Sequence, residues 1–330
     1  MDFRPLDPDD LGTMKQVVDL ENATEAVDGP WRHPMTLRTL DAEIRWAWDL
    51  EPGRHVVAFD GDTLVSHGVL ELTERDNLDL AWFGISVPPE LRRRGYGTAM
   101  LRHLEEEARA AGRTKAGAFC WDGSPGADFA AAHGYPKRFQ SVNRRQHLED
   151  VSLAKVRALY DAAVASAGDY ELVLVKGRTP PSMLESMVDM VAAINDAPLD
   201  DLDMEDEVFS AERVAAYETA QLNAGLRLHR YLARHRTTGE PAGNTVVAVE
   251  EERPQIAHQH DTSVVATHRG HRLGLLLKTA MLLHLAEAEP QVRSIDTFNA
   301  ESNDHMIAVN EDLGYRWMGR GLGFQRSLVG

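Results

Sequence analysis

The feature that most constrains this chain is a glycine-containing loop that occurs twice in the same sequence context. In both copies a valine, an arginine and a glycine keep the same spacing and lead into an apolar helical pattern, with one offset of 177 residues: Val87, Arg92 and Gly97, then Val264, Arg269 and Gly274. A Gly-Tyr pair follows each helix, at Gly134 and at Gly314. Such self-similarity in a chain of 330 residues predicts a tandem duplication.

The elements between the repeats predict the fold class. Each half reads as two helices, a strand hairpin, the glycine loop, a helix, a strand, a helix and a strand. This order predicts an α+β protein of two tandem domains, each a mixed, mostly antiparallel sheet flanked by helices. Because a helical pattern over 153–167 precedes a new strand over 170–175, we place the boundary near Gly168, which gives domains 1–167 and 168–330.

Charge and cysteine content narrow the function classes. The chain carries 35 Lys and Arg against 52 Asp and Glu, and this net charge of −17 favours cationic small molecules over nucleic acids. Cys120 is the only cysteine, so an internal disulfide is excluded and a reducing compartment is expected. The sequence has no run of 18 apolar residues and no leader pattern. We therefore expect a cytoplasmic protein without a nucleic-acid or membrane partner.

The two loops are candidate anion sites, because a strand that turns through glycines into a helix directs unpaired N–H groups and the positive end of the helix dipole at one point. A plain connection between elements is the alternative. In the second copy Arg272 either donates to a phosphate or crowds it. The candidate residues are Val87, Arg92, Arg93, Arg94, Gly95, Tyr96, Gly97 and Thr98 in the first copy and Val264, Val265, Arg269, Gly270, His271, Arg272, Leu273 and Gly274 in the second.

These loops, together with the Gly-Tyr pairs and the segment 297–315, resemble the GNAT superfamily of acetyl-CoA-dependent N-acetyltransferases. The tandem layout is similar to mycothiol synthase and related actinobacterial acetyltransferases. The resemblance implies that acetyl-CoA is the cofactor, that the loops hold its pyrophosphate, and that the strands ending near Val87 and Val264 pair with pantetheine. It also implies that Asn299 and Asn303 belong to the cofactor site of the second half.

One position departs from the pattern that the resemblance implies. Many family members place a tyrosine four residues before the late glycine, where it protonates the departing thiolate. Here Ala130 and Asn310 occupy these positions, and Asn310 is a candidate catalytic residue. Tyr135 or Tyr315 is the alternative proton donor. A thiol with a pKa of ~8.5 needs little proton assistance to leave, so the missing acid does not exclude transfer.

The acceptor amine needs a base and a binding surface. In the strand before the second loop, alternation places His258 and His260 on one face, and His260 or Asp261 is the candidate base. The comparable strand residues of the first half are Asp79, Trp82 and Ser86. Ordinary polar residues on a half-exposed strand are the alternative, and no metal site is predicted.

The acidic run 200–207 is a candidate binding surface for a cationic amine, with its last three residues, Glu205, Asp206 and Glu207, as the substrate-binding group. A solvated loop is the other interpretation of this run.

The sequence thus predicts an acetyl-CoA-dependent N-acetyltransferase that acts on a small cationic amine by direct transfer. One half, with the second favoured, is expected to be catalytic, in a monomer that forms a pseudo-dimer or in a homodimer. The alternative is a non-catalytic acyl-CoA-binding sensor or assembly module. Acetyl-CoA-dependent thiol release with a panel of amines distinguishes the two.

Overall fold

A computed structural model describes residues 1–329, which fold into two units. The N-terminal unit comprises Met1–Ser141, Leu199–Asp206 and 319–329, and the second unit comprises Val142–Pro198 and Glu207–Met318. Each unit has its own hydrophobic core and its own set of hydrogen-bonded strands.

The N-terminal unit is built from strands, three longer helices and one short helix. They are β1 (Asp2–Pro5), α1 (Leu11–Asp28), α2 (Leu37–Arg45), β2 (Arg54–Asp60), β3 (Thr63–Leu72), β4 (Leu80–Ser86), α3 (Tyr96–Ala110), β5 (Lys115–Trp121) and α4 (Gly126–Ala132). Two further strands, β6 (Lys137–His147) and β12 (Tyr315–Ser327), are divided between the two units.

The sheet of the N-terminal unit is mixed. Strands β1 to β4 pair antiparallel in chain order, β4 pairs parallel with β5, and residues 321–327 of β12 pair antiparallel with β5. Alternation sends Phe83 and Leu70 to the face that packs on Met100 and Leu104 of α3. The opposite face lies under α1 and α2, where Val57 packs against Leu20 and Leu40.

The second unit repeats this arrangement. Its elements are α5 (Leu153–Ser166), β7 (Tyr170–Lys176), α6 (Pro181–Ala192), α7 (Ala211–Asn223), β8 (Leu226–His235), β9 (Pro241–Glu250), β10 (Ile256–Val264), α8 (Leu273–Ala288), β11 (Ser294–Ala300) and α9 (Asp304–Asp312). Strands β7 to β10 pair antiparallel in chain order, and β10 pairs parallel with β11. Helix α8 packs on one face of the sheet and α7 on the other.

The predicted fold class is confirmed, but the predicted ranges 1–167 and 168–330 do not coincide with the two units. Helix α5 belongs to the second unit because Val156 and Ala163 pack into the core that contains Leu277 and Leu285 of α8. The C-terminal strand residues belong to the N-terminal unit because they pair with β5. Hydrophobic patterning identifies elements correctly here, whereas unit membership depends on strand pairing between residues far apart in the chain.

Candidate functional site

In both units the parallel strand pair separates before its strands end. The β4–β5 pairing ends at Phe83 and Ala118, although β4 continues to Ser86 and stays paired with β3 on its other side. The β10–β11 pairing ends at His258 and Asp296 in the same way. The edge of each strand beyond this point therefore presents backbone groups that have no partner across the gap among residues 1–329.

Each separated strand leads through a 3-10 turn into an uncapped helix. Helix α3 begins after Gly95, and its first backbone bond runs from the N–H of Ala99 to the Gly95 carbonyl at 3.0 Å. Helix α8 begins after Arg272, with the equivalent bond from Leu276 to Arg272 at 3.0 Å. No side chain within the described part of the chain caps either helix. The N–H groups of the first turns thus lack an intrahelical acceptor, as an anion site requires.

The two loops share one backbone shape but exchange glycine and arginine. The left-handed positions of the first loop are Arg93 (φ 64°) and Gly95 (φ 90°), and those of the second are Gly270 (φ 86°) and Arg272 (φ 57°). A non-glycine residue in this conformation costs about 1–2 kcal/mol. No atom lies within 4 Å of the position that a Cβ would occupy at Gly95. Arg272 therefore fills a space that the first loop leaves open.

The first arginine of each loop has a structural role. The Arg92 Nε donates to the Val87 carbonyl at 3.1 Å, and its guanidinium donates to both oxygens of Asp28 at 2.9 and 2.7 Å. Arg269 repeats this pattern with the Val264 carbonyl at 3.1 Å and with Asp196. These two predicted cofactor residues hold the loop in shape. Arg93 and Arg272 make no hydrogen bond or ion pair within residues 1–329.

The remaining loop residues lie on the surface or pack against neighbouring helices. Arg94 donates to the Glu90 carbonyl, the Tyr96 hydroxyl donates to Asp60, and Thr98 contacts His133. A Cβ at Gly97 would lie 3.4 Å from the Phe129 ring, whereas none of the surrounding atoms comes within 4 Å of that position at Gly274. In the second loop the Val265 N–H donates to Ala242, His271 packs against Tyr170, and Leu273 is buried.

The late motif of the second unit contains a buried amide pair. Asn303 caps α9, with its Oδ1 accepting from the Met306 N–H at 3.2 Å. Asn310, which is fully buried, donates to the Asn299 Oδ1 at 2.8 Å, while its own Oδ1 has no hydrogen-bond partner in the described chain. The motif thus places one unsatisfied acceptor beside the separated part of β11.

Neither alternative proton donor lies in an accessible position. Tyr135 is buried, its hydroxyl donates to Glu105 of α3, and burial raises the pKa of this tyrosine. Burial likewise raises the pKa of Tyr315, whose ring packs under the Lys278 ammonium at 5.0 Å. Both tyrosines belong to hydrophobic cores beneath the long helices.

The predicted bases of the second unit lie at a β-bulge. The register of β10 with β9 shifts by one residue between Gln259 and Thr262, which places His260 and Asp261 together. His260 Nδ1 is 2.6 Å from the Tyr217 hydroxyl, and burial lowers the pKa of His260 to about 3. Burial raises the pKa of Asp261, while the positive charge of Arg230 opposes this shift. His258 lies on the same face, as alternation predicts, and contacts Glu250 at 2.8 Å.

Sequence reasoning missed a hydrogen-bonded chain in the N-terminal unit. The Ser86 hydroxyl donates to Glu21 at 2.8 Å, the other Glu21 oxygen lies 2.6 Å from His67 Nδ1, and His67 Nε2 lies 3.1 Å from His55 Nδ1. Ser86 ends β4 beside the separated strands, while Glu21 comes from α1. Glu21 is 46 positions from His67 and 65 positions from Ser86 along the chain, so no local pattern connects it to them.

The protonation state of His55 allows this series of hydrogen-bonded side chains to accept a proton. Burial and the neighbouring His67 together lower the pKa of His55 to about 3, so His55 is neutral near pH 7. A neutral imidazole either donates or accepts at Nδ1, depending on its tautomer. His55 can therefore donate to a neutral His67 or accept from a protonated one.

Three further carboxylates have raised pKa values on the α1 and α2 side of this sheet. Burial raises the pKa of Glu43 to about 7, and the negative charge of Glu21 adds to the shift. Burial also raises the pKa values of Glu25 and Glu71. A group of carboxylates that resist ionisation together favours a cation as their ligand.

The acidic run lies mainly in the N-terminal unit, where its backbone is anchored. Asp203 exchanges hydrogen bonds with the Gln325 side chain and pairs with Lys115 at 3.1 Å, and Glu205 exchanges hydrogen bonds with Asn77. Lys115 and Asn77 lie near the first residues of β5 and β4, at the opposite ends of these strands from the glycine loop. Glu207 belongs to the second unit and pairs with Arg213. The predicted role of Glu205, Asp206 and Glu207 in substrate binding stays a prediction.

Two further properties concern the chain as a whole. None of its helices over residues 1–329 has the length and apolar character needed to cross a membrane. A search of the same residues for three or more His, Cys, Asp or Glu side chains arranged around a metal position found no such group.

Comparison with known proteins identifies structures that share this fold. Residues 17–135 match the model of the acetyltransferase (GNAT) family. A tandem GNAT protein from the clavulanic acid biosynthesis pathway, solved without AcCoA, is 28% identical with a TM-score of 0.81, and the match covers 100% of this chain and 99% of that one. A search of curated proteins found no match.

More distant structures share the fold alone. A GCN5-related N-acetyltransferase from Sphaerobacter thermophilus is 14% identical with a TM-score of 0.69 over 99% of this chain and 95% of that chain. A GCN5-related glucosamine N-acetyltransferase region of a fungal multi-domain protein is 14% identical with a TM-score of 0.70, covering 98% of this chain and 38% of that chain. These findings support acetyl transfer as the general class of activity. The chain has the tandem GNAT fold, and its residues 17–135 carry the sequence pattern of the acetyltransferase (GNAT) family.

Proposed function

We propose that this protein transfers the acetyl group of acetyl-CoA directly to a small cationic amine, and that the N-terminal unit performs the transfer. The observation that carries this proposal is the Ser86–Glu21–His67 chain, which begins at the end of β4 beside the gap between β4 and β5. The family match to residues 17–135 covers these residues and supports the same unit.

The cofactor site of this unit consists of the uncapped α3 N-terminus and the free edge of β4. The N–H groups after Gly95 bind the pyrophosphate, and the Arg93 guanidinium, which has no partner among residues 1–329, adds positive charge. The edge over 84–86 hydrogen-bonds to the pantetheine amides. Acetyl-CoA supplies an activated thioester whose acetyl carbon is open to an amine.

The base is the Glu21–His67 pair. Glu21 accepts a hydrogen bond from Ser86, so its carboxylate lies next to the end of β4. It takes the proton of the attacking amine, directly or through a water, and transfers it to His67 Nδ1, which lies 2.6 Å away. The Nε2–H of His67 donates to His55 Nδ1, so no further proton has to move. Ser86 orients the Glu21 carboxylate.

The equivalent surface of the second unit is filled by its own side chains. Gly84, which is exposed, corresponds to the bulge residues His260 and Asp261, and His260 is bonded to Tyr217. A base works best with a pKa near the operating pH, and a histidine with a pKa of about 3 is far below it. We therefore favour Glu21 as the base. The sequence-based candidates His260, Asp261 and Asn310 form the competing proposal.

The second candidate function applies to the second unit, as a non-catalytic acyl-CoA-binding module. It is favoured by the buried Asn310 Oδ1, which lacks a hydrogen-bond donor within the described chain, beside the separated part of β11. An amide and thiol ligand such as pantetheine offers donors for this oxygen.

The test is acetyl-CoA-dependent thiol release by the full chain with a panel of monoamines, diamines and amino sugars, with the product identified by mass. We expect release with cationic amines and a mass increase of one acetyl group on nitrogen. Saturable acetyl-CoA binding without thiol release for any amine would contradict the proposal and support the binding module.

A further inference from the structure

The face of the N-terminal sheet under α1 carries an aromatic floor next to the proposed transfer site. Trp82 of β4 and Phe119 of β5 stack with their ring centroids 5.0 Å apart and their planes 17° apart, and Phe119 is 53% exposed. Glycines make room for these rings, because a Cβ at Gly117 would collide with Trp82 and one at Gly323 would collide with Phe119. The floor is therefore a specific arrangement of adjacent strands.

Two carboxylate–tryptophan pairs border this floor. In the first, the Trp121 Nε1 donates to Glu25 at 3.3 Å. In the second, Glu71 lies directly opposite Trp82 in the β3–β4 pairing, where side chains on the same face are in contact range. Partial desolvation of the carboxyl group raises the pKa of both glutamates, as expected for carboxyl groups beside apolar rings.

The first pair already holds a cation supplied by the protein. The Arg32 guanidinium lies over the Trp121 ring at 5.4 Å and pairs with Glu25 at 3.7 Å. This geometry combines a cation–π contact with an ion pair, and it shows what such a pair accepts.

The second pair holds no cation from the described chain. The Glu71 carboxylate makes no hydrogen bond or ion pair within residues 1–329, although the residue keeps access to solvent. The charge of Glu43 interacts with that of Glu71, and the positive charge of Arg32 also acts on Glu43. An aromatic ring beside a carboxylate that has no partner within residues 1–329 has the chemistry of a binding site for an organic cation.

We propose that Trp82 and Glu71 bind a second cationic group of the acceptor, so that the substrate is a diamine or another dication rather than a monoamine. The inference rests on the proposed function, because it places the reacting amine beside 84–86. Two to four residues of β4 separate this segment from Trp82, a span of about 7–13 Å. The amine to be acetylated and the second cation should lie about this far apart.

The experiment measures acceptor binding to the full chain in the presence of CoA, so that no turnover occurs. Straight-chain α,ω-diamines of increasing length are compared by calorimetry with monoamines of the same length. We expect affinity to peak at one diamine length and to exceed that of the matched monoamine at least about tenfold, which is 1.4 kcal/mol. Equal affinities for diamines and monoamines at every length would overturn the inference.

Matched variants locate the second cation. Glu71→Gln should remove most of the diamine preference and leave monoamine affinity unchanged, whereas Glu71→Asp should keep part of it. Glu106→Gln, the same charge change on the exposed side of α3, is the control and should change neither. A loss of diamine and monoamine affinity in equal proportion in Glu71→Gln would contradict the assigned role.

The two proposals fail separately. Acetylation of monoamines at the rate of diamines, without a length optimum, would leave the transfer reaction intact and overturn the dication site. Tight diamine binding without thiol release would support the dication site and contradict the transferase.

Discussion

The two units have the same backbone plan, yet they differ at the point where their parallel strands separate. In the N-terminal unit this point is an exposed glycine, Gly84, beside a hydrogen-bonded chain that ends at Ser86. In the second unit an inserted residue forms a bulge, and His260 is held by Tyr217. The duplicated fold therefore preserves the geometry of a cofactor site, whereas a few side chains decide whether the adjacent surface is open to an acceptor.

The same contrast extends to the neighbouring side chains. Strand pairing aligns His67 with Ser86 in one unit and Asn244 with Ser263 in the other. Ser263 donates to the Met190 carbonyl instead of to a carboxylate. The described part of the second unit therefore has no equivalent of the Ser86–Glu21–His67 chain. A buried ion pair between Arg230 and Glu218, at 3.5 Å, occupies that region.

The largest expected effect is on cofactor binding. Gly97→Glu places a carboxylate at the α3 N-terminus, where a negative ligand should bind, and we expect acetyl-CoA affinity at this unit to fall at least about 100-fold, or 2.7 kcal/mol. Gly274→Glu makes the matched change in the second unit and should leave amine acetylation within about twofold. Calorimetric titration and steady-state rates measure the two effects.

Gly97→Ala is the control for packing, because a Cβ at this position would make ordinary contacts with Phe129 and Val87. If Gly274→Glu, rather than Gly97→Glu, abolishes transfer, the second unit is the catalytic one and the N-terminal unit is not.

The next effect concerns the proton path. His67→Asn installs the residue that the second unit carries at this position, and kcat should fall about 100-fold while acetyl-CoA affinity is unchanged, because the variant removes base catalysis alone. His305→Asn, an exposed histidine on α9, is the control. Wild-type kcat in His67→Asn would remove His67 from the mechanism.

A smaller effect is expected from Glu43. Because the pKa of Glu43 is about 7, its carboxylate gains negative charge as the pH rises through that value, and the KM for a cationic acceptor should fall over the same range. Glu43→Gln should raise KM about three- to tenfold above pH 7 and remove this pH dependence. The measurement is KM against pH for both proteins, with a permanently charged second group on the acceptor. A KM profile that keeps the same inflection in Glu43→Gln would refute this role.

The smallest effect is on stability. Lys278 in α8 is buried where α3 has Leu101, and burial lowers the pKa of Lys278 to about 7. Its lowered pKa means that wild-type stability rises with pH between about 7 and the unfolded value near 10.5. Lys278→Leu should therefore stabilise the protein below pH 7 and stabilise it less at higher pH. The expected gain below pH 7 is only about 1–2 kcal/mol, because the variant also loses the hydrogen bond to Gln259. Urea denaturation at two pH values measures the difference.

The sequence predicted what depends on local pattern. The offset between Gly97 and Gly274 located both loops, hydrophobic periodicity located the helix α5, and alternation placed His258 and His260 on one face. Other features depend on residues distant in the chain. The one-residue shift at His260 follows from pairing with β9, and Glu21 reaches Ser86 only because α1 crosses the sheet. The exchange of Gly95 for Arg272 at a left-handed position is visible in the sequence, but its meaning requires the backbone angles.

A comparison of Glu21→Gln with His260→Gln shows whether the N-terminal unit performs the transfer. Each variant replaces one candidate base by a neutral side chain, and both are measured by acetyl-CoA-dependent thiol release with a saturating diamine. We expect Glu21→Gln to lose about 100-fold or more in kcat and His260→Gln to stay within about twofold of the wild type. A large loss in His260→Gln together with a wild-type rate in Glu21→Gln would contradict transfer by the N-terminal unit.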